Sequence, residues 1–317
     1  MAILITGAAG FAGSHLLDLL SRDGADIVAW HRPGASPTRA VARTTWEGVD
    51  LLDRRMVADA VRRRPPGAVY HFAGEAHVGR AWDETAPAFA INVRGTHFLL
   101  EALREVSRTV PILVPSSSMI YQPADEPLTE DHPLRPSSPY GVSKLAQELL
   151  AIRACRDGAA TRLARAFNHV GPRQNPSFSA SGFAKQIAEI EAGRRDAEMA
   201  VGNLEAKRDV TDVRDTVRAY RAILERGQTA RPYNVCSGRA VVIGDLVEQL
   251  VARSRVRVRI RVDEARLRPS DLPIVEGDPA RIRDELGWTP QIPLERTLDD
   301  LLEYWRSQIS AIGRSAN

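Results

Sequence analysis

Apolar positions along the chain follow two alternating rhythms. Short continuous runs suit strands buried on both faces: Met1 to Thr6, Ala25 to Trp30, Ala68 to Gly74 and Pro111 to Pro115. Between them, Phe11 to Leu20 and Pro87 to Val106 repeat apolar residues at helical spacing, the second with Phe89, Ile91, Val93, Phe98, Leu99 and Leu103. Strand and helix alternate for roughly the first 170 residues, the habit of a parallel sheet covered on both faces. Further helices are predicted over Ser138–Cys155, Phe178–Gly193 and Glu295–Ile312. Arg255 to Val262 alternates basic and apolar residues with period two, which predicts a half-buried strand with a solvated basic face.

The first strand runs straight into Gly7-Ala8-Ala9-Gly10-Phe11-Ala12-Gly13, and the next helix begins within that turn. Glycines at 7, 10 and 13 let the backbone turn tightly and let a pyrophosphate approach the helix N-terminus, where unpaired N–H groups favour an anion. The predicted fold class is therefore α/β, a Rossmann-type doubly wound parallel sheet with a smaller α/β substrate-binding unit. The boundaries expected are 1–166 plus about 207–232 for dinucleotide binding, and about 167–206 with 233–317 for the smaller, substrate-binding unit. Gly7, Gly10, Phe11, Ala12 and Gly13 would contact the cofactor, joined by Asp50 and Leu51, which follow a short third strand before Val49, and by Phe72, Ala73 and Gly74 at the end of the fourth strand, Ala68 to Gly74. At the end of the second strand stand His31 and Arg32 with no acid. A carboxylate there suits the ribose of NAD and a basic residue suits the 2′-phosphate, so NADP(H) is favoured and NAD(H) is the alternative.

Composition narrows the class. With 317 residues, 44% hydrophobic and 26% charged, the chain suits a globular enzyme. A net charge of +3 makes no case for nucleic acid, and the basic strand lacks the interleaved aromatics of single-strand binders. No apolar run reaches the roughly 18 residues that span a membrane, so a cytoplasmic protein is expected. Cys155 and Cys236 lie in apolar surroundings without metal-ligand spacing, and buried free thiols are expected rather than a disulfide or zinc site.

Catalytic chemistry is suggested by Tyr140-Gly141-Val142-Ser143-Lys144, whose spacing stacks tyrosine and lysine on one helix face. A nearby ammonium favours the phenolate and would bring the tyrosine pKa toward neutrality. The strand ending at Pro115 delivers Ser116-Ser117-Ser118, which could hydrogen-bond a reacting oxygen.

Together, the glycine turn, the serines before Tyr121 and the Tyr140 to Lys144 motif resemble the extended short-chain dehydrogenase/reductases that act on nucleotide sugars. Arg165 to Gln174, Gly202 to Asp209 and Asp212 to Asp215 are similar to the GDP-sugar branch, which holds GDP-mannose 4,6-dehydratase and the GDP-6-deoxy-4-keto-mannose reductases. The resemblance places Ser117, Tyr140 and Lys144 in catalysis, with Tyr140 and Lys144 also touching the cofactor. It places Glu75, Ser118, Met119, Asn168, Lys185, Val201, Gly202, Asn203, Arg208 and Arg268 around a GDP-sugar, the two arginines on its diphosphate.

Met119 falls where the dehydratases carry a glutamate. Eliminating water across C5–C6 needs a base and an acid, and a thioether is neither. The resemblance therefore implies an NAD(P)H-dependent 4-keto reductase giving GDP-D-rhamnose; reduction from the other face would give the 6-deoxy-talose epimer. Leu267 to Pro273 with Gly277-Asp278-Pro279 also resembles the reductases, whereas Gln122 departs from the family's usual glycine. The alternatives are a dehydratase or epimerase with a displaced acid or base, and a non-catalytic dinucleotide-binding regulator. A homodimer or homotetramer built on the helices over 87–106 and 138–155 is expected of the family.

Overall fold

The computed structural model describes residues 1–35, 40–76, 79, 82, 84–266 and 272–315. The first half follows the alternation: β1 (Ile3–Thr6), α1 (Phe11–Arg22), β2 (Ile27–His31), β3 (Thr44–Gly48), α2 (Arg54–Arg63), β4 (Ala68–His71), α3 (Thr85–Phe89), α4 (Thr96–Val106), β5 (Pro111–Ser117), α5 (Pro139–Arg156) and β6 (Ala160–Ala166). The predicted helix over 87–106 is interrupted, because Ala90–Gly95 forms a π-helical segment between α3 and α4. The second half adds β7 (Asn168–Val170), α6 (Ser179–Glu191), β8 (Glu198–Val201), β9 (Lys207–Asp212), α7 (Val213–Arg226) and β10 (Pro232–Val235). It closes with β11 (Ala240–Val242), α8 (Ile243–Ala252), β12 (Arg259–Val262), β13 (Ile274–Val275), α9 (Ala280–Leu286) and α10 (Leu294–Ser315).

Among the described residues, seven strands form one parallel sheet in the order β10-β6-β5-β4-β1-β2-β3. Strands buried on both faces need apolar residues at every position, and Leu4, Ile5, Val69, Tyr70, Leu113 and Val114 are nearly sealed from solvent. Leu16, Leu17 and Leu20 of α1 pack with Val217, Tyr220 and Ile223 of α7 on one face. Val57 and Val61 of α2 pack with Leu99 and Leu103 of α4 on the other. The order reverses between β1 and β4, and the carboxyl ends of strands at such a reversal open a crevice for ligands.

Phe167 alone separates β6 from β7, which belongs to a second sheet. There β9 pairs with β7, β11 and β13. This shifts an expected boundary: Lys207–Asp212 lies in the smaller sheet, and the return to the large sheet runs through α7 and β10. The Asp212 carboxylate marks the crossing by accepting the Arg214 amide at 2.7 Å and capping α7. The smaller unit has its own core, in which Phe183 and Ile187 of α6 meet Leu246 and Leu250 of α8 and Leu298 and Leu302 of α10.

The period-two stretch differs from its expectation. Only Arg259–Val262 forms a strand, paired on one side with β8, and all four residues are exposed. Alternation requires a layer to cover the apolar side, and here Ile260 and Val262 remain 42% and 55% exposed. Cys236 is buried, whereas Cys155 is only half-buried, with its thiol 2.6 Å from Thr161 Oγ1; both are free. No helix among the described residues is long and apolar enough to cross a membrane.

Candidate active site

The glycine turn after β1 has no room for side chains. Gly7 has φ +66°, and a Cβ on it would stand 2.6 Å from the Ala73 nitrogen. A Cβ on Gly13 would stand 2.2 Å from the Gly7 carbonyl oxygen, which itself accepts the Gly10 amide at 2.9 Å. This packing brings the backbone and the first turn of α1 to the crevice between β1 and β4. A cradle that a methyl group would fill, at the positive end of a helix, fits the pyrophosphate of a dinucleotide.

Phe11 opens α1, with Ala12 behind it packed on the core. Beyond β4, Phe72 and Ala73 are half-buried and Gly74 is exposed at the mouth. A Cβ on Gly74 would meet Asn92 Oδ1 at 2.6 Å. At the end of β2, His31 Nδ1 lies 2.9 Å from the Arg32 carbonyl, and Arg32 is exposed. Asp50 accepts the Leu52 amide at 2.9 Å, while Leu51 is buried beneath it.

The catalytic candidates converge because α5 starts against the end of β5. Ser138 caps α5 by accepting the Gly141 amide at 3.1 Å, and Pro139 supplies a preset first turn. A Cβ on Gly141 would stand 2.3 Å from the Met119 carbonyl oxygen, so glycine is what lets the helix lie on the serine loop. Ser117 Oγ accepts the Met119 amide at 3.2 Å and lies close enough to the Tyr140 phenol to lower its pKa. Met119 packs its side chain with Tyr140 and Ala88, and Ser118 is buried beside them.

Tyr140 and Lys144 share the helix face, but their electrostatics differ from the expectation. Burial pushes the Tyr140 phenol up to about 12; the nearby Ser117 hydroxyl lowers it in part, and the Glu75 carboxylate raises it. The Lys144 ammonium makes its hydrogen bonds elsewhere, donating to the Pro115 carbonyl and to Gln147 Oε1, each at 2.5 Å. Burial lowers Lys144 to about 8, against a smaller upward pull from Glu148.

Several site residues have no motif of their own. Asn92, wholly buried in the π-helical segment, accepts the Glu75 amide at 2.9 Å and donates to Ser143 Oγ at 3.0 Å. It thereby ties the loop after β4 to α5. Thr96, His71 and Gln147 form a buried polar group behind Lys144. Polar residues four apart on the buried, otherwise apolar face of that helical stretch, Asn92 and Thr96, are the signal that could have found them. One turn beyond Lys144, Glu148 makes a buried ion pair with Arg165, 2.6 Å apart, and Arg165 also donates to Tyr121 Oη at 2.9 Å.

On the sugar side the sequence candidates scatter. Asn168 is exposed on β7, and its neighbour His169 stacks on Phe11. Lys185 pairs with Glu189 at 3.4 Å on its own helix and lies over the Trp305 ring. Val201 is fully buried in the smaller core, so its side chain packs rather than lining a pocket. Gly202 passes close to Arg266, where a Cβ would be 2.8 Å from the carbonyl oxygen. Asn203 Oδ1 accepts the Glu205 amide at 2.9 Å. Arg208 donates to the carbonyls of Lys207 and Leu272 at 2.8 and 2.7 Å. Arg268 lies outside the described residues.

A parallel Rossmann sheet with a glycine cradle at its switch point and a serine, tyrosine and lysine at the crevice defines a short-chain dehydrogenase/reductase architecture. The profile of the GDP-mannose 4,6 dehydratase family matches residues 4–301. The chain belongs to that family, within the extended short-chain dehydrogenase/reductases. It is 34% identical to the GDP-6-deoxy-D-mannose reductase of Pseudomonas aeruginosa, over 97% of this chain and 98% of that one. The solved structure of RMD from P. aeruginosa complexed with NADPH superposes with a TM-score of 0.84 at 32% identity, covering 97% of this chain and all of the other. The UDP-glucose 4-epimerase of Thermus thermophilus in complex with NAD gives 0.85 at 25% identity, over 96% and 99% of the two chains.

Proposed function

We propose that the protein is an NADPH-dependent reductase of the C4 ketone of GDP-4-keto-6-deoxy-D-mannose, giving GDP-D-rhamnose. The observation that carries this reading is Met119 packed on Tyr140, where the dehydratases of the family place a carboxylate. At that position the site then offers neither the acid nor the base that elimination requires. The similarity to a GDP-6-deoxy-D-mannose reductase supports the same reading.

A bound nicotinamide would supply the hydride that ketone reduction needs. Gly7, Gly10 and Gly13 would hold its pyrophosphate and Arg32 a 2′-phosphate, and the NADPH complex of a relative supports that assignment. Tyr140, held protonated by burial, would give its proton to the alkoxide forming at C4. Ser117, fixed by the Met119 amide, would donate to the same oxygen as charge develops. Two of the three Lys144 donors are engaged, and the third would hold the nicotinamide ribose. Asn168, Asn203 and Arg208 would contact the nucleotide sugar from the smaller sheet.

The test supplies GDP-4-keto-6-deoxy-mannose with NADPH or NADH and follows loss of reduced-nicotinamide absorbance, with the product sugar identified by NMR. Absence of oxidation with that substrate, while another keto sugar is reduced, would overturn the GDP assignment. A second reading rests on Glu75, whose carboxylate reaches Tyr140 electrostatically: a dehydratase in which Glu75 replaces the missing acid. Accumulation of the 4-keto sugar from GDP-mannose, abolished in Glu75→Gln, would favour it.

We also infer a homodimer through α4 and α5. Val142 and Leu149 are 42% and 53% exposed on α5, and an apolar groove lined by Leu100, Leu103, Leu150 and Ala154 runs between the two helices. Light scattering should give twice the chain mass.

A further inference from the structure

Behind the crevice, hydrogen bonds run from Thr6 at the end of β1 to Lys144, and their directions follow from counting protons. Thr96 Oγ1 has one hydrogen, donated to the Asn92 carbonyl at 2.6 Å. It must therefore accept from its other two partners, Gln147 Nε2 at 2.8 Å and His71 Nε2 at 2.9 Å. His71 then carries its proton on Nε2, and its bare Nδ1 accepts the Thr6 hydroxyl at 2.8 Å. Thr6 Oγ1 in turn accepts the Ala73 amide at 3.1 Å. With its amide nitrogen committed to Thr96, Gln147 can turn only its oxygen to Lys144. The group is sealed: His71, Thr96 and Gln147 are each no more than 1% exposed.

We propose that Gln147, locked by Thr96 and His71, is a positioning residue that holds the Lys144 ammonium charged and aimed at the cofactor ribose. This rests on the cofactor role of Lys144 given above. The carbonyl of Asn92 comes from the π-helical segment, so that local departure from α-helix is part of the lock. The charged and titratable groups around Lys144 are Tyr140 and Glu148 on its own helix and His71 on β4. From β5 it meets the neutral Pro115 carbonyl.

The experiment measures NADPH affinity by fluorescence titration from pH 6 to 10, alongside the split between kcat and KM. Gln147→Met keeps the volume and removes the acceptor. The charged form of Lys144 loses support, so affinity should fall about tenfold and its alkaline limb should move to lower pH. Gln147→Glu places a carboxylate there and should move that limb to higher pH. A residue that merely fills space would not displace the limb in opposite directions. Thr96→Val should reproduce part of the Gln147→Met effect, and Thr96→Ser, which restores the hydroxyl, should recover wild-type behaviour. In the protein without cofactor, nitrogen-15 NMR should show His71 as the Nε2–H tautomer.

An Nδ1–H tautomer would overturn the proposal, as would Gln147 variants that share the wild-type limb. If Lys144→Met itself left affinity and limb unchanged, the cofactor role of Lys144 would fall first and the proposal with it.

Discussion

The imidazole of His169 lies flat against the ring of Phe11, with centroids 5.6 Å apart and planes within 7°. Phe11 is the first residue of the helix that meets the cofactor cradle, and His169 sits on the first strand of the smaller sheet. Burial keeps His169 below the usual histidine pKa, so the stacked ring is neutral near pH 7. A stack of this kind contributes roughly 0.5–1.5 kcal/mol beyond its buried area. His169→Ala should therefore weaken NADPH and nucleotide-sugar binding together, each by about 3- to 10-fold. Calorimetric titration of the two ligands separately would check this; loss for one alone would contradict a shared wall.

Tyr140 is predicted to carry the proton-transfer step. Replacing it with Phe keeps the packing against Met119 and Ala88 and removes only the hydroxyl. The expected loss in kcat is about 10²- to 10⁴-fold, with NADPH affinity within about twofold of wild type. Because burial holds the phenol near 12, the wild-type donor should remain protonated across the neutral range.

Acid should unfold the protein through its buried imidazoles. Burial lowers His71 to about 3 and His15 to about 4, from an unfolded value of 6.5. Between these limits the unfolded chain binds protons that the folded chain refuses. Their stabilisation is fully present above pH 6.5 and is lost as pH falls through the folded values, by about tenfold in the folding constant per pH unit per group. Urea midpoints measured from pH 7 to 4 should fall steadily. The slope should be shallower in His71→Gln, which retains a hydrogen-bonding side chain without the titration.

Cofactor preference should follow Arg32. Its exposed position after β2 would leave the guanidinium free to meet a 2′-phosphate. Arg32→Asp should cost about tenfold or more in NADPH affinity and improve NADH, as read by kcat/KM with each cofactor.

The sequence was most informative where one residue type is forced by local geometry. Gly7 and Gly13 mark the turn because a side chain at either would strike backbone at 2.6 and 2.2 Å, and Tyr140 with Lys144 shows as a four-residue spacing on one helix. What depends on distant pairing was not legible. Thr96 and Gln147 are 51 positions apart, and only the packed sheet brings the threonine hydroxyl to the amide. The Tyr140 pKa was anticipated in the wrong direction for a related reason: spacing places the lysine nearby, but the phenol is raised by its burial, which only the packed fold decides. Arg259–Val262 shows the converse failure, an alternating pattern that promises a covered face where the fold supplies no covering layer.

Phe167 is the whole of the chain between the two sheets at that crossing. Its amide donates to the Val235 carbonyl at 3.0 Å, its side chain is 2% exposed, and a Cβ on Gly277 would strike its ring at 2.6 Å. A joint so short and so tightly packed resists a swing of one sheet away from the other at this crossing. The expected consequence is a particle whose overall dimensions in solution, read by small-angle scattering, are the same full or empty.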